Sequence, residues 1–203
     1  TSTDWMTGAP IDLSIIYWSE SAGGLIKEFD GNSSSTLLSA LTSPSGVAFG
    51  AGTIYWSELT SIKKNDGATR TLVTGLGSAR DIGLDLGANK IYWTDFSNGN
   101  VGRSNLDGSG VENILTSQTS PFGLDIDLTN GKIYFVELGT SVKRANLDGS
   151  GLETLVTGAN ANDVRDVAVS PATNKMFWSS GSDTRIRQSA LDGTSQVDFI
   201  TGI

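Results

Sequence analysis

The stretch Lys90-Ile91-Tyr92-Trp93-Thr94-Asp95, read with the turns on either side of it, decides the fold. Its aromatic and β-branched residues suit a pleated, half-buried surface. Upstream, Arg80-Asp81-Ile82-Gly83-Leu84-Asp85 alternates apolar with other residues, the period of a half-buried strand. Gly87-Ala88-Asn89 turns the chain between the two. Downstream, Asn98-Gly99 is a hairpin signal, and a third short strand runs through Val101 and Arg103. Asp107-Gly108 turns again, and Val111 to Leu115 supplies a fourth strand. Four short strands in about 40 residues, with no helical periodicity between them, make one propeller blade.

The pattern recurs along the whole chain. Ile16-Tyr17-Trp18-Ser19-Glu20, Ile54-Tyr55-Trp56-Ser57-Glu58, Ile133-Tyr134-Phe135-Val136-Glu137 and Met176-Phe177-Trp178-Ser179-Ser180 repeat the motif. The leading aromatics Tyr17, Tyr55, Tyr92, Tyr134 and Phe177 stand 38, 37, 42 and 43 residues apart. Each is followed 11 to 15 residues later by Asp-Gly, at Asp30, Asp66, Asp107, Asp148 and Asp192. Two linked motifs in phase five times mark a repeat architecture. The expectation is one all-β domain over 1–203, a five-bladed propeller of four-stranded antiparallel blades, with repeats near 4–41, 45–75, 80–117, 121–158 and 164–202. Twenty-six residues follow Phe177 and Tyr17 is the seventeenth, so a head-to-tail joint would repeat at 43, within the observed range. Thr201-Gly202 also matches Thr74-Gly75 and Thr157-Gly158, each ahead of a first strand, which across the joint would be Asp4-Trp5-Met6. On this reading the five repeats are whole and the termini close the ring together.

Composition narrows the function. A net charge of −8, from 22 acidic and 14 basic residues, argues against nucleic acid and anionic membranes as partners. No apolar run approaches the roughly 20 residues of a spanning helix, and no cationic, apolar leader opens the chain at Thr1. Cysteine is absent, so no disulfide framework is expected. Histidine is absent too, which removes Ser-His-Asp triads, Cys-His pairs and histidine zinc sites. No phosphate-binding glycine loop and no Gly-x-Ser-x-Gly elbow occurs. The chain reads as a binding protein without a cofactor, not as an enzyme.

Ile91-Tyr92-Trp93-Thr94-Asp95, followed by Val101-Gly102-Arg103-Ser104-Asn105-Leu106-Asp107-Gly108-Ser109-Gly110, resembles the YWTD repeat of the low-density-lipoprotein receptor class B family. Val142-Lys143-Arg144-Ala145-Asn146-Leu147-Asp148-Gly149 matches that family's third strand and turn more closely still. Members of the family usually close with six blades and sit beside cysteine-rich growth-factor-like modules. Here there are five repeats and no cysteine, so the expectation is a small soluble binding protein rather than a receptor. Small five-bladed propeller lectins are an analogy of architecture only.

Candidate residues divide into those the repeats share and those they do not. The shared motif residues Tyr17, Trp18, Tyr55, Trp56, Tyr92, Trp93, Tyr134 and Trp178 are either platforms for sugar faces or fillers of the wedge between blades. Their recurrence at one strand position favours the structural role. The acidic residue closing the motif, Glu20, Glu58, Asp95 or Glu137, is expected to accept turn hydrogen bonds or to pair with a basic residue on strand three. Lys27, Lys63, Arg103, Arg144 and Arg187 recur there. Binding is expected where repeats differ. The family resemblance implies that the starts of the first strands, with the loops after the YWTD motif, form one rim of the central channel. There the chain reads Trp5, Gly46, Arg80-Asp81, Pro121-Phe122 and Arg165-Asp166. Arginine forks beside aromatic surface suit carboxylates or sugar hydroxyls, so Trp5, Arg80, Asp81, Phe122, Arg165 and Asp166 are the ligand-binding candidates. The alternative is that each Arg-Asp pair merely satisfies itself.

Asp125-Ile126-Asp127-Leu128-Thr129-Asn130-Gly131 with Glu137 imitates an EF-hand loop, but its glycine and glutamate each fall one place late, and a hairpin turn is expected. No metal site is assigned. Asn32-Ser33-Ser34 is a glycosylation sequon if the protein is secreted. Three functions stay open. A carbohydrate-binding propeller, taking a glycan or glycoprotein at repeated shallow sites, gains from avidity. A protein-interaction module would bind a peptide or domain on one rim. A glycoside-active enzyme would need Asp81 and Asp166 as its carboxyl pair, with Arg80 and Arg165 lowering the pKa that a catalytic acid must have raised. A secreted or extracellular location is expected, with the cytoplasm as the alternative.

Overall fold

The computed structural model describes residues 15–182 and 184–202. The expected strand at Asp4-Trp5-Met6, and with it candidate Trp5, lies outside the described residues. The chain is an all-β five-bladed propeller. Blade one shows β1 (Ile16–Glu20), β2 (Leu25–Phe29) and β3 (Ser34–Leu38). Blade two has β4 (Val47–Gly50), β5 (Thr53–Glu58), β6 (Ser61–Asn65) and β7 (Thr69–Thr74). Blade three has β8 (Ala79–Asp85), β9 (Lys90–Asp95), β10 (Asn100–Asn105) and β11 (Glu112–Leu115). Blade four has β12 (Pro121–Asp127), β13 (Lys132–Glu137), β14 (Ser141–Asn146) and β15 (Glu153–Thr157). Blade five has β16 (Val164–Ser170), β17 (Lys175–Ser180), β18 (Arg185–Ala190) and β19 (Val197–Thr201). Strands within each sheet follow chain order, and the only helical pieces among the described residues are 3-10 turns at Gly158–Ala161 and Pro171–Thr173.

Packing divides the chain into two compact units, Thr1–Trp93 with Arg103–Val111, and Thr94–Gly102 with Glu112–Ile203. In the first, Tyr55, Ile62 and Val73 of blade two pack against Ile82, Ile91 and Trp93 of blade three. In the second, Tyr134, Val136, Val142 and Val156 of blade four pack against Val164, Val167, Met176 and Trp178 of blade five. The reason is the period of two: along the motif strand the tyrosine points to one face of its sheet and the tryptophan to the other. Trp56, Trp93, Trp178, Tyr55, Tyr92 and Tyr134 are all buried. Rings closed on both sides leave no face for a sugar, so in these blades they fill the wedge.

The acidic residue ending the motif has the expected role in blades one and two. Glu58 accepts from Trp56 Nε1 at 2.9 Å and from Lys63 Nζ at 2.9 Å, and Glu20 pairs with Lys27 at 2.8 Å. In blade four the partner is Lys143, at 2.7 Å from Glu137, and not Arg144. Register explains the difference: Lys143 stands opposite Phe135 and Arg144 opposite Tyr134, on the other face. Arg144 instead holds Glu153 at 2.6 Å and Tyr134 Oη at 3.3 Å. Blade five has Ser180 in place of the acid, and Arg187 turns to Asp198 at 3.0 Å. Trp178 Nε1 there donates to the Asn160 carbonyl at 2.7 Å. In blade three Asp95 is one methylene shorter than Glu58 and accepts from Asn98 Nδ2 at 2.8 Å, leaving buried Trp93 Nε1 without a partner.

Asx turns close the Asp-Gly sites of blades three to five. Asp107, Asp148 and Asp192 each accept from the backbone N–H and the hydroxyl of the residue two places on, Ser109, Ser150 and Thr194. The EF-hand imitation is a hairpin between β12 and β13, closed by Asp127 accepting from the Asn130 backbone at 2.9 Å and its amide at 2.6 Å.

Candidate functional site

The rim candidates fall on the first strands of their blades: Arg80 and Asp81 on β8 in the first unit, Phe122 on β12 and Arg165 and Asp166 on β16 in the second. In the first unit the Arg80 carbonyl accepts from the Gly46 N–H at 2.7 Å and from Ser57 Oγ at 2.7 Å, which ties β8 to blade two. Asp81 accepts from the Ile82 N–H at 2.9 Å. A Cβ on Gly46 would sit 2.8 Å from the Asp81 Cα and 2.9 Å from its Oδ1, so the carboxylate occupies the space that glycine leaves.

The second unit repeats this arrangement. Gly123, between Phe122 and Leu124, faces Asp166, and a Cβ there would lie 2.8 Å from the Arg165 carbonyl and 2.8 Å from the Asp166 Cα. Both obstacles are backbone, so Gly123→Ala is expected to cost about 1–3 kcal/mol, read as a fall in denaturant midpoint. An unchanged midpoint would show that β12 and β16 do not sit this close.

The Arg165-Asp166 dipeptide does not satisfy itself. Successive strand residues point to opposite sides, and Arg165 pairs with Asp163 at 3.1 Å, its side chain 54% exposed. Asp163 adopts φ +53°, in the left-handed region. Gly181 lies against this pair, where a Cβ would come within 2.6 Å of Asp163 Oδ2. Asp166 accepts from the Val167 N–H at 2.9 Å. Burial among surrounding atoms raises its pKa above the ordinary aspartate value of 3.8, and the negative charge of Asp125 adds to the shift. The residue itself is exposed to solvent.

Asp125, which the sequence reading treated only as part of a false calcium loop, belongs to this group. It accepts from the Val169 N–H at 2.7 Å, joining β12 to β16, and from the Ile126 N–H at 2.7 Å. Burial raises its pKa as well, against the effect of those two hydrogen bonds. Phe122 is half-buried against the blade four–five core, and its ring meets Phe96 edge-on at 6.1 Å and 83°. Phe96, in the loop after the YWTD motif, was also missed; its signal was an aromatic residue one place past the motif. Aromatic edges, an exposed guanidinium and two carboxylates thus lie on or beside β12 and β16 in the second unit. Such a surface can hold a cationic or hydrogen-bond-donating group beside an apolar one. Among the described residues no set of three or more metal-ligating side chains converges, and no helix is long and apolar enough to cross a membrane.

Residues 89–125 match the family model of the low-density lipoprotein receptor repeat class B. A chain in the crystal structure of a nidogen/laminin complex is similar to this one, with 17% identity over 87% of this chain and 74% of that chain at a TM-score of 0.80. Streptogramin B lyase is similar with 18% identity over 94% of this chain and 66% of its own, at a TM-score of 0.74. Virginiamycin B lyase from Staphylococcus aureus, as a catalytically inactive histidine-to-alanine variant with quinupristin, shows 17% identity, 93% and 67% coverage and a TM-score of 0.71. The chain thus spans about two thirds of either lyase. At these identities the likeness is one of fold.

Proposed function

We propose that this five-bladed propeller of low-density lipoprotein receptor class B repeat type is a non-catalytic protein-interaction module of the extracellular space. One observation carries the reading: Asp166 and Asp125 lie on the same pair of strands as half-exposed Arg165 and Phe122, whose ring meets Phe96 edge-on. Arginine and aromatic residues dominate the energetics of protein interfaces, and a carboxyl whose pKa is raised by burial and by the neighbouring charge of Asp125 favours an incoming cation. The partner proposed is a peptide or loop placing lysine or arginine beside an apolar side chain. A nidogen/laminin complex among the similar structures is in keeping with a protein ligand.

The glycan reading loses its repeated platforms, because the motif rings of blades two to four are buried. The enzyme reading has no support in the lyase likeness. The inactive lyase variant lacks a histidine, and this chain contains none.

The test is selection of a displayed peptide library on the immobilised chain, followed by titration of the enriched peptides. Enrichment of basic-plus-aromatic sequences is expected, with affinity at least about tenfold weaker, or 1.4 kcal/mol, for Asp166→Asn. Because the Asp166 pKa is raised, affinity should fall on acidification at a pH above that of an ordinary aspartate. Equal affinity of wild type and variant for the enriched peptides would remove the site from this role. Binding on a glycan array, with no peptide enriched, would restore the carbohydrate reading.

A further inference from the structure

We propose that the groove between blades one and two, within the first unit, is a binding site for a small organic ammonium ion carrying a compact apolar group. The proposal does not depend on the rim reading. It follows from comparing this junction between blades with the others. Elsewhere the Asp-Gly turn of one blade presses on the fourth strand of the blade before it. A Cβ on Gly108 would lie 2.6 Å from the Leu72 carbonyl, and one on Gly193 would lie 2.6 Å from the Leu155 carbonyl. A Cβ on Gly149 would run into the Ile114 carbonyl. At Gly67, the same turn in blade two, an added Cβ would meet nothing within 4 Å.

The sequence accounts for this gap. From Ile186 to Gly193 the third strand and turn of blade five take eight residues, whereas from Ile62 to Gly67 those of blade two take six. Register aligns Asn65, opposite Ile54, with Ser189, opposite Met176. Blade two therefore has no counterpart of Ala190 and Leu191. Leu191 is buried in the blade four–five core. Its carbonyl accepts from Arg144 Nη1 at 2.8 Å and from Tyr134 Oη at 3.3 Å.

Without that plug, the groove beside blade one stays open. Leu37, at the bulge that corresponds to Leu155, is 40% exposed. Phe49, opposite Ile54, is 49% exposed, while Val169 at the same position of blade five is 8% exposed. The Phe49 ring stacks on Tyr17 at 4.9 Å and 21°. Together with Leu38 and Gly67 these residues line a cavity of about 270 Å³. The charge is reversed as well. Arg144 stands opposite Tyr134, but Glu28 stands opposite Tyr17 and also lines the cavity. Glu28 accepts from Ser35 Oγ at 3.1 Å, and among the described residues no lysine or arginine pairs with it. Burial, and then the Glu28 charge, raise the pKa of Tyr17 above its ordinary value.

What the groove lacks defines its ligand. An apolar group is missing where leucine sits between blades four and five, and a cation is missing beside a carboxylate that replaces a guanidinium. Aromatic faces attract cations too. The cavity falls just below the roughly 300–1,000 Å³ of sites for drug-sized ligands, which suits an amine about as large as one amino-acid side chain.

The experiment is an NMR titration of backbone amides with phenethylammonium and two probes of the same shape, neutral phenethyl alcohol and anionic phenylpropionate. The ammonium should shift the amides of Leu37, Phe49 and Gly67 with a Kd near about 1 mM. The alcohol should bind at least about tenfold more weakly and the carboxylate not at all, because only a cation gains from Glu28. Glu28→Gln should bind the ammonium as weakly as wild type binds the alcohol. Insertion of Ala-Leu between Asn65 and Asp66 restores the eight-residue turn and should abolish the shifts. Amide dispersion checks that the insertion folds, and Phe49→Ser, with affinity lowered at least about tenfold, replaces it if it does not. No shift at these three amides overturns the proposal. So does equal affinity for the three probes, or an affinity for the ammonium that Glu28→Gln leaves unchanged.

Discussion

Trp56→Ala is expected to lower stability by about 3–5 kcal/mol. The indole is fully buried, with Ile26 and Ile54 in its cluster and Tyr17, Leu38 and Val47 packed around it. Alanine would leave a cavity that two rigid sheets cannot close. It would also remove the N–H that Glu58 accepts at 2.9 Å, leaving that buried carboxylate its Lys63 partner at 2.9 Å. Denaturant titration should show a lower midpoint at unchanged slope. Trp56→Phe separates the two contributions: it keeps most of the packing and loses the hydrogen bond, for a cost of about 1 kcal/mol. If Trp56→Ala costs less than the phenylalanine variant, the wedge-filling account is wrong.

The second large effect is expected at Glu137, the acidic residue of the only motif strand that has phenylalanine in the tryptophan place. Its carboxylate receives Lys143 Nζ at 2.7 Å, the Thr119 N–H at 2.7 Å and Ser141 Oγ at 2.9 Å. Glu137→Ala would leave the half-buried Lys143 ammonium only Gln118 Oε1 at 3.2 Å and take the acceptor from a backbone donor, at a cost of about 2–3 kcal/mol at neutral pH. Burial pushes its pKa up, but the three hydrogen bonds and the Lys143 charge outweigh burial and hold it below the ordinary 4.5. A folded pKa below the unfolded one gives stability that is present above the unfolded value and lost as pH falls through the folded one. Wild type and Glu137→Gln should therefore differ at pH 7 and converge in acid, below about pH 4. Curves that stay parallel through that range would show that the carboxylate's charge has no stabilising role.

The blade was legible because its signals are local. A strand motif read at period two, and Asp-Gly turns whose aspartate binds the residue two places on, are properties of short stretches and survive any packing. The burial of Trp56, Trp93 and Trp178 could be read for the same reason, from one strand position repeated. Pairings that depend on register were harder. Lys143 and Arg144 are neighbours in sequence but lie on opposite faces of β14, and composition gives no reason to choose between them. Arg165 followed the same pattern: the adjacent Asp166 looked like its partner, yet Asp163, two places away and on the same side, holds it. Asp125 was missed because its partner, the Val169 N–H, belongs to the next blade. No periodicity within one repeat reports a contact of that kind.

The glycines facing the rim carboxylates also limit how such a protein could be built by gene duplication or by design. Gly46 makes room for Asp81, and Gly123 makes room for Asp166. The position therefore alternates between a residue that fills space and one that yields it. A polypeptide made by copying a single consensus blade could hold glycine everywhere and lose the charge, or aspartate everywhere and force Cβ atoms into backbone. The shortest sequence that can be tandemly copied with this fit intact is two blades long. An odd number of blades closed into a circle would then leave one junction where like meets like, and natural or designed variants should mark that junction with a different solution from all the others.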